Sequence, residues 1–161
     1  MATTRCGIGY DAHRLGQGRK LILGGVEIDH SLGLEGHSDA DVLCHAIADA
    51  LLGAIGESDI GHHFPNTDES IRGISSIEIL ARVRVVLESK GASVINVDAT
   101  LLAEAPKIAP HIPAMRIAIA GALEIEATRV SIKATTNEGL GAIGRGEGMA
   151  AMAVATVELE S

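Results

Sequence analysis

The side chains with the clearest potential for chemistry in this sequence belong to Asp11, His13 and His45. Asp11 and His13 stand two positions apart at the end of an apolar run, and in an extended strand such side chains point to the same face. One carboxylate and two imidazoles are ligand types of catalytic zinc sites, in which a fourth position stays open for water or substrate. The three residues therefore predict a divalent-metal site.

A strand and a helix would have to bring these residues together. The apolar run before Asp11 predicts the strand, and residues 40–52 have the pattern of a helix that contains His45, with Asp39 as its expected N-cap. A buried strand end beside this helix would place all three ligands around one ion.

The same residues allow an interpretation without a metal. His13 would then belong to a turn, and His45 would pair with Asp41 or Asp49, one helical turn away. An Asp-x-His pattern alone is too weak to decide between the two interpretations. The adjacent Cys44 is not an expected ligand, because consecutive helix positions point about 100° apart. We expect it to be a small buried hydrophobe.

Length and composition fit a single domain that spans residues 1–161. A chain of 161 residues is long enough to bury a core without disulfides. One Phe, one Tyr and no Trp leave that core to Ala, Ile, Leu and Val. Cys6 and Cys44 are too few for a disulfide framework and suit a reducing compartment. We therefore expect a soluble, cytoplasmic protein.

Charge and hydropathy exclude two classes of partner. The net charge is −8, whereas nucleic-acid binding needs clustered Lys and Arg that release counterions; a single nucleotide is still compatible with this charge. The N-terminal residues show no export or organelle-targeting pattern. The longest apolar stretch, residues 149–157, is far shorter than the ~20 residues of a membrane-spanning helix. We expect neither a nucleic-acid nor a membrane partner.

The next elements along the chain are a hairpin and a helix. A Gly-Gly pair within residues 20–28 predicts the hairpin. Ser75 and Glu78 form a capping-box pattern that opens a helix through Lys90, which Gly91 would end. The apolar stripe of this helix includes Ile79, Val83, Val86 and Leu87.

Strands are predicted at residues 94–102, 130–134 and 149–159, and Pro113 predicts the first turn of a helix that reaches about Ala122. This alternation indicates an α+β domain, an α/β sandwich with a mixed β-sheet and helices packed on one face. The last strand is apolar on both faces over residues 149–155. A second subunit would be the natural cover of the free face, with covering loops as the alternative.

Three polar, glycine-rich segments could approach a ligand closely. Residues 36–39 precede the helix of His45, whose positive end attracts anions; an ordinary helix cap is the alternative. Residues 58–68 form a long loop that includes His62 and His63, which we expect to face solvent rather than to bind metal. Residues 133–141 leave a strand with hydroxyls and a carboxylate, a set that suits a phosphate with Mg²⁺.

Together, six motifs make the chain resemble the 2-C-methyl-D-erythritol 2,4-cyclodiphosphate synthase family over nearly its whole length. Several ordered motifs are far more specific than any one of them. They are Gly-Tyr-Asp-Ala-His-Arg-Leu at residues 9–15, Gly-His-Ser-Asp-Ala-Asp-Val at 36–42, Asp-Ile-Gly at 59–61, Phe-Pro-Asn-Thr-Asp at 64–68, Ala-Pro-Lys at 105–107, and the segment 133–148, which ends in Gly-Arg-Gly-Glu-Gly.

The resemblance implies a homotrimeric enzyme with active sites between adjacent subunits. Family members convert 4-diphosphocytidyl-2-C-methyl-D-erythritol 2-phosphate into the cyclic 2,4-diphosphate and CMP, in non-mevalonate isoprenoid biosynthesis. The 2-phosphate of the substrate attacks the β-phosphorus and CMP leaves, so no protein nucleophile is needed. The implied partners are this cytidine diphosphate substrate and further copies of the chain.

The resemblance also implies metal-binding and catalytic roles. Zn²⁺ would be bound by Asp11, His13 and His45. Glu138 would help to hold Mg²⁺ or Mn²⁺ between the α- and β-phosphates. His37 and Thr136 match positions regarded as transition-state stabilisers, which donate to developing charge.

Further matched positions would contact substrate. The erythritol-phosphate region would comprise Ser38, Asp59, Ile60, Gly61, Phe64, Pro65, Asn66, Thr67 and Asp68. The cytidine and diphosphate pocket, contributed by the neighbouring chain, would comprise Ala103, Glu104, Ala105, Pro106, Lys107, Ile108, Ala109, Thr135 and Thr136. Additional substrate contacts would come from Ala134, Asn137, Ala142 and Arg145.

Three positions depart from the family pattern. Asn66 and Ser75 stand where Asp is common, and Ala142 stands where a larger apolar residue such as Phe is usual. None is a predicted metal ligand, so the departures concern substrate contacts rather than the reaction class. Arg145 and Glu147 match residues near the trimer axis, a position that suggests binding of isoprenoid-like ligands.

Two other functions fit the same three ligands. A zinc-dependent phosphohydrolase would hold a nucleophilic hydroxide at the open position. A non-catalytic trimeric binding module would use zinc structurally. Structural zinc is normally closed by four protein ligands, so an open three-ligand set favours catalysis.

Overall fold

A mixed five-stranded sheet forms the base of the molecule in a computed structural model, which describes residues 1–160. The strand order is β4-β1-β7-β5-β6. Neighbours run antiparallel except β5 and β6, which are parallel, and β2 and β3 form a separate hairpin. The strands are β1 (Thr3–Gly16), β2 (Leu21–Leu23), β3 (Val26–Ile28), β4 (Gly33–Leu34), β5 (Ala92–Leu102), β6 (Val130–Thr135) and β7 (Gly148–Leu159).

Helices α1, α3 and α4 pack beside one another against this sheet, which confirms the predicted α+β architecture. Their apolar residues and the inward side chains of the sheet form one buried cluster built from Ala, Ile, Leu and Val with few other residues. The helices are α1 (Val42–Ala54), α2 (Ile60–His63), α3 (Ser76–Ser89), α4 (Ile112–Leu123) and α5 (Gly141–Gly144), with 3-10 turns at Glu69–Ile71, Ala109–His111 and Ala127–Arg129.

The start of α1 differs from the sequence prediction. Asp41, not Asp39, is the N-cap and accepts a hydrogen bond from the amide of Cys44. Ala40 cannot belong to the helix because its φ of 58° lies in the left-handed region. The carboxylate of Asp41 is fully buried and also accepts from the amides of Gly24 and Gly25, so it ties the β2–β3 hairpin to α1.

The start and end of α3 largely follow the prediction. Ser75 is the N-cap and accepts from the amide of Ile77. Glu78 does not complete the expected capping box but accepts from Arg82 one turn later. The helix stops before Gly91, whose φ of 69° suits glycine. The predicted stripe of Ile79, Val83 and Leu87 is buried, while Val86 is only partly covered.

Two glycines allow α1 to lie directly on β1. A Cβ at Gly7 would lie 2.0 Å from the carbonyl oxygen of Ala50, and one at Gly9 would lie 1.9 Å from that of Ala46. Any side chain at either position would push the helix away. The close approach brings the helix residue next to Ala46, which is His45, beside the end of the strand.

The opposite face of the sheet is uncovered by any described part of the chain, and it is apolar where β1 and β7 form it. Ile8 and Tyr10 of β1 are 68% and 60% exposed, and Met152 and Val154 of β7 pair with them on the same face. The prediction that the last strand is apolar on both faces is therefore confirmed. None of the helices in residues 1–160 is long and apolar enough to cross a membrane.

Candidate metal centre and adjoining cleft

Asp11, His13 and His45 converge at the end of β1 nearest the start of α1. Asp11 Oδ2 lies 2.7 Å from His13 Nε2 and 3.0 Å from His45 Nδ1, and the two nitrogens are 3.1 Å apart. Tetrahedral zinc with ligand bonds of 2.0–2.1 Å separates its ligand atoms by roughly 3.3 Å. The donor set and its spacing therefore fit a zinc-like ion, and the three residues form a candidate metal group.

Contacts within this group shift the pKa values of Asp11 and His13. Burial alone would raise the pKa of Asp11, but hydrogen bonds from His13 and His45 outweigh it and hold the pKa well below its usual range. Burial opposes protonation of His13, yet the hydrogen bond to Asp11 raises the pKa of that imidazole. A carboxylate that stays ionised beside two imidazoles is the charge pattern that attracts a divalent cation.

The metal-free interpretation of these histidines is wrong in its particulars. His13 lies within strand β1 rather than in a turn. Neither aspartate on α1 pairs with His45, because Asp41 caps the helix and Asp49 accepts from the amide of Ile60 at 2.8 Å. The ring of His45 instead contacts Ser38 and Ser76, whose hydroxyl oxygens each lie 3.0 Å from Nε2.

A cleft of about 230 Å³ opens beside the metal group. Its wall includes His37, and the Nε2 atom of this histidine is buried without a hydrogen-bond partner among residues 1–160. Arg19 fixes the loop that carries His37, because its guanidinium donates to the carbonyls of Gly36 and Ser38, each at 2.8 Å. Besides the ligands His13 and His45, six predicted residues line the cleft: His37, Ser38, Ile60, Gly61, Phe64 and Asn66.

The other predicted residues of the 58–68 loop either cap a short helix or lie outside the cleft lining. Asp59 caps α2 by accepting from the amide of His62, and Asp68 caps the following 3-10 turn by accepting from Ser70. Pro65 and Thr67 are exposed and outside the cleft lining. His62 faces solvent as predicted, whereas His63 is partly buried with Nε2 3.6 Å from a Glu57 oxygen. Neither belongs to the metal group.

A second group of predicted residues lies where β5 and β6 end. Glu104 Oε1 accepts from the amides of Asn137 and Gly139 at 3.0 and 3.3 Å, which ties residues 103–109 to residues 135–139. Thr136 Oγ1 accepts from the amide of Glu138, whose φ of 51° is left-handed. The exposed members of this group are Ala105, Lys107, Ala109, Ala134, Thr135, Thr136 and Glu138; Glu104, Pro106 and Asn137 are half-buried, and Ala103 and Ile108 are buried.

Strand register places the metal group and Thr135 on opposite faces of the sheet. Asp11 is level with Ala134, because both are paired through Ala151 and Leu101. The strands β1 and β6 are three spacings apart, roughly 14 Å. Thr135 is one residue beyond Ala134 and therefore points to the uncovered face, whereas Asp11 and His13 point towards α1. Within one chain the metal group and Thr135 thus open in different directions.

Ala142 and Arg145 lie in a third region, at the short helix α5. Both are exposed, and the Arg145 guanidinium donates to the carboxylate of Glu147 at 2.9 Å. This ion pair lowers the pKa of Glu147. Neither residue lines the cleft beside the metal group.

Comparison with known proteins agrees with this fold and this set of motifs. The model of the YgbB family matches residues 4–158. A Geotalea daltonii protein named 2-C-methyl-D-erythritol 2,4-cyclodiphosphate synthase is 58% identical over 154 residues, which cover 96% of this chain and 90% of that protein. This chain belongs to the YgbB family. Its membership confirms the resemblance inferred from the six motifs.

Solved structures of related proteins have the same fold as this YgbB-family chain. A Plasmodium falciparum protein described as an IspF CDP complex is 32% identical with a TM-score of 0.85, and the match covers 98% of this chain and 97% of that one. The bifunctional IspDF from Campylobacter jejuni is 38% identical with a TM-score of 0.95. That match covers 100% of this chain but 44% of the longer protein.

Sequence reasoning missed the residues that support the metal group. Ser76 is fully buried against His45 although the two are 31 positions apart, and Arg19 holds a loop 17 to 19 positions away. Helical or strand periodicity carries no signal for such contacts. Ser76 stands one position after a good N-cap, so the local pattern was fully explained by helix capping.

Proposed function

We propose that this chain is a 2-C-methyl-D-erythritol 2,4-cyclodiphosphate synthase, a metal-dependent phosphorus–oxygen lyase. It would convert 4-diphosphocytidyl-2-C-methyl-D-erythritol 2-phosphate into the cyclic diphosphate and CMP. An oxygen of the 2-phosphate forms a bond to the β-phosphorus as the bond from that phosphorus to the CMP oxygen breaks. The observation that carries the proposal is the convergence of Asp11, His13 and His45 beside a cleft that His13 and His45 help to line.

Two cation sites belong to this proposal. Asp11, His13 and His45 would hold Zn²⁺, and Glu138 would help to hold Mg²⁺ or Mn²⁺, which prefer oxygen ligands. When bound, the two cations would neutralise charge on the diphosphate and polarise the attacked phosphorus. No side chain of this chain has to act as a nucleophile.

The side chains around the cleft would position the substrate. His37 Nε2 is buried and unpartnered in the described chain, so a bound phosphate oxygen would supply the missing partner. Ser38 lies at the cleft with its hydroxyl 3.0 Å from His45 Nε2, close enough to contact a group bound there. Thr136 would stabilise developing charge in the same way from the second group of residues. Holding the two reacting phosphates in line supplies most of the catalysis.

The complete site would lie between two subunits of a homotrimer. Within one chain, the metal group and Thr135 point to opposite faces of the sheet, and the face of Thr135 is uncovered and apolar over β1 and β7. A neighbouring copy that covers this face would bring its residues 103–109 and 135–138 towards the metal group. Cytidine would then contact the neighbour, while the erythritol phosphate occupies the cleft. Such an assembly is expected in the cytoplasm.

The direct test is turnover of the proposed substrate by purified, zinc-loaded protein with Mg²⁺, followed by ³¹P NMR. Equal amounts of CMP and cyclic diphosphate are expected. Inorganic phosphate or linear products would instead identify a zinc-dependent phosphohydrolase. Unchanged substrate, with metal shown to be bound, would favour a non-catalytic binding module.

A pair of histidine variants separates catalytic from structural metal. His45→Ala should leave a folded oligomer and abolish turnover, because it removes one of three ligands. His62→Ala is the matched control, since its imidazole is exposed and outside the metal group. Unfolding of the wild-type protein by a chelator would contradict the catalytic assignment, because a chain that needs the metal to fold uses it structurally, whereas loss of a catalytic metal should lower stability without unfolding the chain.

A further inference from the structure

Arg19 holds the loop that carries His37 by two carbonyl groups of its backbone. The two terminal nitrogens of the guanidinium donate to the carbonyl oxygens of Gly36 and Ser38, each at 2.8 Å. The carbonyl oxygen between them, that of His37, accepts from the amide of Gly73 at 3.1 Å. Three consecutive carbonyls of this loop are therefore bound, and Arg19 supplies two of the three hydrogen bonds.

The opposite groups of the same loop have no partner. The amides of His37 and Ser38 donate to no acceptor within residues 1–160. The peptide unit that joins Gly36 to His37 is trans, so its C=O and N–H groups point in opposite directions. Because the carbonyl of this unit is bound to Arg19, the His37 amide points away from Arg19. The imidazole of His37 adds a buried Nε2 that no described residue contacts by a hydrogen bond.

The guanidinium of Arg19 touches the loop and not the cleft. Gly36, His37 and Ser38 line the cleft, whereas Arg19 does not. A guanidinium presents its donors in a rigid planar fork, which can bind two acceptors at a set spacing, while a lysine ammonium is a single point charge on a flexible stem. Arg19 can therefore influence a ligand in the cleft through the shape of the loop.

The base of Arg19 is anchored to the core of the domain. Arg19 stands two positions before strand β2, in which Leu21 and Leu23 are buried. The β2–β3 hairpin is tied to α1, because the buried carboxylate of Asp41 accepts from two amides at the hairpin turn. Since the side chain extends from a fixed hairpin, it imposes a position on the loop.

We propose that Arg19 is a positioning residue, which holds the amides and the imidazole of the His37 loop in the orientation that receives a phosphate group of the substrate. This inference rests on the proposed function of the cleft and adds to it a residue that touches neither substrate nor metal. Donors that are fixed in advance do not have to reorganise as charge develops in the reaction. A misplacement of about 1 Å in such groups can lower a rate about 100-fold.

Turnover of zinc-loaded Arg19 variants with Mg²⁺ tests this role. Arg19→Ala should lower kcat about 100-fold. Arg19→Lys should lower it about tenfold, because an ammonium keeps the charge but loses the fork. Guanidinium chloride at about 20 mM, far below the molar concentrations that unfold proteins, should restore most of the lost kcat to Arg19→Ala by occupying the vacated place. The same concentration of sodium chloride should restore none.

Two further variants separate positioning from charge and from direct contact. Lys20→Ala is the matched control for charge, because Lys20 is the next residue, is 71% exposed and pairs with Glu27 of the hairpin. Its kcat should stay within about threefold of wild type, without stimulation by guanidinium. In a His37→Ala background, Arg19→Ala should add less than about a threefold loss, because effects of residues that act through one another are not additive.

Binding of inorganic pyrophosphate to zinc-loaded protein without Mg²⁺, measured by titration calorimetry, gives a readout that does not depend on the substrate. Arg19→Ala should weaken this binding about tenfold, because hydrogen bonds to a charged group are stronger than those between neutral groups. Guanidinium should restore the affinity of Arg19→Ala. Lys20→Ala should bind pyrophosphate as the wild type does.

Several results would overturn the inference. Wild-type kcat and pyrophosphate affinity in Arg19→Ala would do so, as would losses that guanidinium does not relieve, which would leave Arg19 a contact for stability alone. An equal loss in Lys20→Ala would assign the effect to charge, and full additivity with His37→Ala would indicate direct contact with the ligand.

Two remaining outcomes are also decisive. If Arg19→Ala does not fold, Arg19→Lys replaces it, and wild-type kcat in Arg19→Lys would contradict the role of the fork. If the wild-type protein yields no cyclic product while pyrophosphate binding follows the expected pattern, the positioning role stands and the proposed function alone fails.

Discussion

The metal group and the group at the ends of β5 and β6 are built in opposite ways. Around the metal group, side chains hold other side chains: Ser76 and Ser38 contact His45, and the ligands lie against each other. At the second group, one carboxylate, Glu104, holds a stretch of backbone, while Lys107 and Glu138 project into solvent. The metal group is complete within the chain, whereas we propose that a neighbouring copy completes the second group.

This difference separates metal binding from turnover. The ligands and their supporting hydrogen bonds all come from one chain, so a single chain should bind a cation. Thr135 of the second group points to the other face of the sheet, and its strand lies three spacings, roughly 14 Å, from β1, so we expect that one chain does not assemble the whole site. On the proposed function, we expect metal affinity to depend on the fold of one chain and catalysis to depend on the assembly.

The largest expected effect comes from inactivating each half in a different chain. His45→Ala and Glu138→Gln should each lower turnover at least about 1000-fold, roughly 4 kcal/mol in the barrier. Co-expressed with different tags and isolated as mixed trimers, the two variants should regain about a third of wild-type activity, because each mixed trimer leaves one of its three sites with both halves intact.

The control for this complementation is an oligomer that carries two tags on the same variant, which should stay inactive. Mixed oligomers verified by native mass spectrometry but without activity would show that both halves of a site come from one chain. That result would remove the contrast between the two regions and the trimer proposal with it.

A subunit contact through the uncovered sheet face can be disrupted by a substitution that lies outside both the metal group and the second group. Met152 is 46% exposed at the centre of this face, so Met152→Glu would bury a charge in any subunit contact there. We expect monomers by light scattering, a loss of turnover of about 100-fold, corresponding to roughly 2.7 kcal/mol, and unchanged metal binding per chain. Val85→Glu, on an equally exposed apolar residue of α3, should change none of these.

Sequence patterns predicted the elements well and the supporting contacts poorly. Strand and helix periods, Gly91 and Pro113 gave the order of elements because those signals are local. The Asp-x-His pattern gave two ligands, since a strand aligns alternate residues. Local patterns cannot predict the contact of Ser76 with His45, because this contact depends on how α3 packs against α1. The sequence predicts Asp39 as the cap of α1, but Asp41 is the cap because the left-handed Ala40 ends the preceding loop.

The contact between α1 and β1 is the next test of the metal half. Gly9→Ala would place a Cβ 1.9 Å from the carbonyl oxygen of Ala46 and force the helix away. We expect a loss of about 3 kcal/mol in unfolding free energy and a marked loss of metal affinity, measured by denaturant titration and dye competition. Gly53→Ala is the control, because its Cβ would lie 3.9 Å from the nearest atom, the Ile8 carbonyl oxygen.

The smallest expected effect concerns Glu104, the single carboxylate that holds the second group. Glu104→Ala leaves the amides of Asn137 and Gly139 without their partner, so residues 135–139 should lose their fixed shape. Each hydrogen bond is worth roughly 1 kcal/mol net, which predicts about a tenfold fall in kcat/KM with metal affinity at the first group unchanged. Glu104→Gln should recover most of the loss because its amide oxygen can still accept.

Glu78→Ala, which removes an exposed carboxylate from α3, is the control for charge alone. Equal losses in the alanine and glutamine variants would mean that Glu104 acts on a bound ligand through its charge. The second group would then bind ligand within its own chain and would not depend on a neighbouring copy.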